Sequence, residues 1–162
     1  MNYTYVLFAM LVSPACSMLY AHNQAPADDI FRVLTEIQYG ELLDKITILE
    51  IKTEFITDQK KLKNILTELA ILNDVLQDLM LIFPHDLDAI TTLKEQLYET
   101  NLRMWLIEDA IREKEASKSF DEEFIELARS VYITNDKRCA IKREINILLN
   151  SPLVEEKSYK AY

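Results

Sequence analysis

Glycine is almost absent from this 162-residue chain: Gly40 is its one copy, where average usage would supply about 11. Phosphate-cradling loops, the dinucleotide fingerprint and the nucleophile elbow each need several glycines where backbone turns sharply or meets a ligand, so none can be built here. Histidine is as scarce, with only His22 and His85. Neither falls in a helical pattern, which excludes the Glu-x-x-His pairs of di-iron bundles. Cys16 and Cys139 are the two cysteines, and scattered as they are they give neither a zinc site nor a disulfide framework. No cofactor and no metal is expected, and no catalytic residue is assigned. Cys139 reads as a small packing residue of a helix, because the chain offers no base to activate it. Four prolines leave few breaks, and 49% hydrophobic with 28% charged residues suits one compact, mostly helical domain.

Charge is missing from the start of the chain. All 18 basic and 27 acidic side chains lie after Ala27. The first 29 residues therefore read as a leader and 30–162 as a single domain. The leader's apolar run, Val6 to Val12, lacks a preceding Lys or Arg and is short for a signal peptide. Three alternatives stay open: export after removal of about residues 1–21, a lipoprotein-type cut before Cys16, or a true start at Met18. The reading adopted is a cytoplasmic domain. No segment is long enough to span a bilayer. The net charge of −9 repels polyanions, so nucleic acid is not an expected partner. Lys137, Arg138, Lys142 and Arg143 form a local basic cluster, which reads as a complement to the C-terminal end of a helix dipole.

Apolar spacing marks four helices. The first runs from about Glu41 to Ile56 after an extended segment, Ile30 to Tyr39. Leu42, Ile46, Leu49 and Ile56 make one face, and Ile48, Ile51 and Phe55 the opposite one, so this helix should be sandwiched at the centre of the domain. Gly40 stands at its head, where a permissive backbone would feed the extended segment into a tight core. A second helix, capped by Asp58 and reaching about Leu79, carries a single stripe that includes Leu62, Ile65, Leu66, Leu69, Leu72 and Leu76. Pro84 ends it, and Asp86 is the expected cap of a third helix, Leu87 to about Lys114. Ser119 to Glu122 matches a capping box that opens a fourth helix through about Leu149. Short connections favour antiparallel neighbours. The fold expected is all-α: an up-and-down antiparallel bundle of about four long helices with a short extended N-terminal segment and a docked C-terminal tail.

Five polar residues fall on stripes where leucine would be expected: Glu50, Asn101, Glu108, Thr134 and Arg138. A buried charge is costly unless paired, so Arg138 should be held by Glu108, Glu50 or both. Two readings follow. In one, the cluster is a structural network that fixes helix register. In the other it is an interior site, where Arg138 grips a carboxylate or phosphate and Glu50 or Glu108 acts as acid or base. A chorismate-mutase-like helical enzyme is the rival of that second kind. Its active site uses arginines from the long first helix, whereas this chain has none between Arg32 and Arg103.

The run Gly40 to Lys52 (GELLDKITILEIK) resembles the opening signature of a family of small all-helical bacterial proteins of unknown function. Trp105 to Arg112, Phe124 to Tyr132, Asn135-Asp136 with Arg138, Ile141 to Arg143 and Leu153 to Tyr159 are similar in kind and order, over about residues 37–162. The resemblance implies a cytoplasmic core, a setting near surface-polysaccharide assembly, and a tail that is docked rather than frayed. Glu155, Lys157 and Tyr159 thereby join the candidate residues. The functional expectation is a non-enzymatic interaction module with a protein partner, self-association remaining open. The alternative is a small-molecule-binding protein or small helical enzyme using the Glu/Arg cluster.

Overall fold

A computed structural model describes residues 34–158. The leader and Tyr159 lie outside them. The described residues form four α-helices and no strand: α1 Tyr39–Phe55, α2 Gln59–Ile82, α3 Leu87–Ala116 and α4 Glu122–Leu148. All four belong to the compact unit Glu36–Tyr162.

The helix ends follow from local chemistry, with two departures from expectation. Asp58 caps α2 by accepting the Lys61 N–H at 2.9 Å. The cap of α4 is Asp121, which accepts the Phe124 N–H at 3.0 Å, while the Ser119 hydroxyl donates to Asp121 Oδ2 at 3.0 Å. The expected Ser119–Glu122 box is thus displaced by two residues, because an ionised carboxylate is the stronger acceptor for orphan N–H groups at a positive helix end. Asp86 precedes α3 without a side-chain cap bond.

Two helix ends close through left-handed residues that are not glycine, Lys118 with φ 56° and Asn150 with φ 48°. Around the first, Ser119 N–H donates to Lys114 O at 2.9 Å and Lys118 N–H to Glu115 O at 3.1 Å. Around the second, Ser151 N–H donates to Asn146 O at 2.8 Å and Asn150 N–H to Ile147 O at 3.2 Å. Both are Schellman closures, a position that favours glycine.

Helix α1 packs against each of the other three, and α3 packs against α4. As its two apolar faces require, Leu42, Ile46 and Leu49 are buried on one side and Ile51 on the other. Phe55 departs from that pattern: it is half exposed and lies against Trp105, with ring centroids 5.5 Å apart. The main core joins Leu42, Leu43 and Ile46 of α1 to Leu76 and Leu79 of α2, Leu93 and Leu97 of α3, and Ile141 and Ile145 of α4. It gathers at the C-terminal ends of α2 and α4 and the N-terminal part of α3. Along α2 only Ile65, Leu76 and Leu79 are buried, and Leu66 of the expected stripe is exposed.

Gly40 is explained by contact rather than by backbone freedom. It is helical with no positive φ. A Cβ built there would run into the Lys142 carbonyl and come within 3.0 Å of its carbon. One glycine lets α1 lie directly on the backbone of α4, and the Gly40 N–H is bonded to Asn146 Oδ1 at 2.8 Å.

Candidate functional site

The closest α1–α4 approach brings together the largest set of buried polar groups. Asp44 of α1 is 1% exposed. Its carboxylate receives Arg138 of α4 in two-pronged fashion, Nε to Oδ1 at 2.8 Å and Nη2 to Oδ2. Asn101 of α3 donates from Nδ2 to Asp44 Oδ1 at 2.8 Å and to Thr47 Oγ1 at 2.9 Å. Thr47 in turn donates to the Asp44 carbonyl at 2.9 Å. Three helices are thereby tied to one carboxylate. The Asp44 bonds hold the Arg138 guanidinium pKa above its ordinary value, against the desolvation that lowers it.

One turn along α4, Lys142 donates to Glu41 and lies 3.8 Å from Asp44 Oδ2 and 3.7 Å from Glu155. Glu155 also meets Lys157 at 3.2 Å. Arg143 pairs with Glu156 at 2.9 Å. Three of the four cations between Lys137 and Arg143 therefore face carboxylates instead of forming an open basic patch. Asn146 completes the junction by donating to Gln38 Oε1 at 3.1 Å.

Asn101 and Arg138 thus meet, but on Asp44 and not on Glu50 or Glu108. Glu50 is bonded to Lys94 of α3 at 2.7 and 2.9 Å. Glu108 sits on the exposed surface, 3.3 Å from Arg112. The physical reason is the length of α1, which ends at Phe55 against Trp105, so that α1 stops short of Glu108, almost a turn farther along α3. Thr134 is buried one turn before Arg138. Glu155 and Lys157 join the network from the chain beyond α4, and Tyr159 lies outside the described residues.

Sequence reasoning does not single out Asp44, Glu41 and Asn146, and it reads Lys142 only as part of a basic cluster at a helix end. A signal existed for Asp44: at about 100° per residue it projects some 20° from Ile51, inside the second apolar face of α1. It is the charged residue most central to that face.

Beside the network, a cleft of about 410 Å³ opens along α4, lined by Asp136, Cys139, Lys142, Arg143, Glu155 and Lys157 among others. Lys157 Nζ donates to Cys139 Sγ at 2.7 Å. The cleft can offer hydrogen bonds and charges of both signs. Among the described residues no group of three or more His, Cys, Asp and Glu side chains is placed to hold a metal ion. No described helix is long and apolar enough to cross a membrane.

Fold and junction define an all-helical domain in which three of the four described helices are tied to one buried carboxylate. The chain belongs to the family of unknown function DUF6165, which matches residues 33–162. Neither the curated proteins nor the solved structures contain a match to it.

Proposed function

We propose that this chain is a non-enzymatic interaction module: an antiparallel up-and-down bundle, its tail held on α4, that presents the outer face of α2 to a protein partner. The observation that carries this is apolar exposure. Ile71 is 59% exposed, Leu81 78% and Ile82 68%, on a helix packed against α1 alone among its neighbours of any extent. Ile71, Val75 and Ile82, all exposed, fall within about 40° of one another about the helix axis, and an exposed apolar stripe of this kind marks an interaction surface. The Asp44 network adds support from the other direction, since its charges are matched internally and it serves to join helices. A setting in surface-polysaccharide assembly rests on the family resemblance alone. The cytoplasmic reading rests on the family resemblance, and the leader supplies its alternative, export after removal of about residues 1–21.

A second reading is favoured by the cleft beside Cys139, whose hydrogen-bonding groups and charges of both signs would suit a small polar ligand. One experiment separates the two. The full chain is captured with cross-linking from its native host, alongside Ile71→Asp and Lys157→Met. The first reading predicts a protein cross-linked to α2 that is lost with the folded Ile71→Asp chain and kept with Lys157→Met. Equal recovery by wild type and Ile71→Asp contradicts it.

A further inference from the structure

The outer face of α2 carries its own charge pattern. Lys60 and Lys63 lie near the N-terminus of the helix, and Asp74 and Asp78 lie toward its C-terminus. At about 100° per residue, all four project away from the buried Ile65, Leu76 and Leu79, with Ile71 beside them and Ile82 on the flank between that face and Leu79. All four are exposed, and none has an ion-pair partner among the described residues. Across the whole of α2 three lysines balance three acidic residues, so this helix is neutral in a chain of net charge −9.

We infer that a second copy of this chain packs on α2, helix against helix and antiparallel, about a two-fold axis near Ile71; this rests on α2 being the working face. Two chains of charge −9 repel each other, and a neutral helix is where that repulsion is least. Antiparallel pairing sets Asp78 of one copy beside Asn64 of the other, within reach of Lys60 and Lys63. The same contacts recur across the axis, as a two-fold interface requires. Parallel pairing instead opposes lysine to lysine and aspartate to aspartate, so charge selects the antiparallel form. Ile71 lies on the axis against its own copy, with Ile82 and Val75 closing over the lysine stems. One helix per copy makes a small interface, about 1,200 Å² in total or less, so the dimer is reversible and concentration-dependent.

Sedimentation velocity on the full 162-residue chain, from about 1 µM to about 100 µM, tests the pairing. Wild type is expected to pass from monomer to dimer across that range, with the dimer weakened by added salt. The pair Asp74→Lys and Asp78→Lys should shift the midpoint upward by at least about tenfold with the circular dichroism spectrum unchanged. Adding Lys60→Glu and Lys63→Glu to the same chain restores opposite charges only in the antiparallel form, and should restore the dimer. A chain monomeric throughout, or a dimer indifferent to the double reversal, overturns the inference. So does a reversed-charge chain whose dimer the compensating pair fails to restore. A monomeric wild type that still captures a different protein through Ile71 refutes the dimer and leaves the interaction-module reading standing. A monomeric wild type that captures nothing refutes both.

Discussion

Asp44 and Arg138 stand 94 positions apart in sequence, and Arg138 Nε reaches the buried Asp44 carboxylate at 2.8 Å. That pair joins the sandwiched first helix to the last one, and Asn101 brings in the third. The buried polar groups that these bonds engage, Asp44, Thr47 and Asn101, join helices to one another.

Gly40→Ala should destabilise the chain more than an ordinary helical substitution does. Alanine has the better helix propensity, but its Cβ would fall on the Lys142 backbone. Backbone cannot swing aside as a side-chain end can, so α1 and α4 must separate. An overpacking loss of about 1–3 kcal/mol is expected in urea unfolding. A variant as stable as wild type would show that the two helices are not in contact there.

Lys118→Gly should act in the opposite direction. Lys118 closes α3 in the left-handed region, where a residue with Cβ is disfavoured by about 1 kcal/mol or more relative to glycine. Its ion pair with Glu115 is on the exposed surface and contributes little. A melting temperature raised by a few degrees is the expected result, and a lowered one would contradict the Schellman geometry.

Acid should release the start of α4. Bonds from Lys114, then the Phe124 N–H, hold the Asp121 carboxyl down at about 2. Its folded pKa is below its unfolded one, so the stabilisation it gives is complete above the ordinary carboxylate range and is lost as pH falls through about 2. Carboxyl carbon shifts followed by NMR should place its midpoint near pH 2, and Lys114→Met should move that midpoint upward. A midpoint in the ordinary range with Lys114 intact would contradict the cap.

The helices were legible in the sequence because apolar period, cap residues and Pro84 are local signals, and α1 announced its central place through two apolar faces. The site was legible only by halves. Asn101 and Arg138 showed themselves as polar interruptions of a stripe, but a wheel angle states which way a side chain points and not what lies opposite. Glu50 projects only about 40° from Ile46, yet Lys94 reaches it from α3. Glu108 holds a core angle on a stretch of α3 that α1 is too short to cover. Asp44 was hidden by a second apolar face broad enough to absorb one charge, and its partner is fixed only once α4 returns to α1. The lone glycine drew attention rightly, but its reason, a carbonyl on another helix, is a tertiary fact.

A division of the chain into a locked interior and a working outer face is tested most directly by a double-mutant cycle on Asp44 and Arg138, read by urea unfolding. Arg138→Ala leaves the buried Asp44 carboxylate without its guanidinium and should cost about 3–5 kcal/mol, and Asp44→Ala, which frees a guanidinium still partly open to solvent, should cost less. Removing both together should cost less than the sum of the two, by about 1–3 kcal/mol of coupling. Costs that add within about 0.5 kcal/mol, or single variants as stable as wild type, would contradict the lock and return Arg138 to the candidates for binding a ligand.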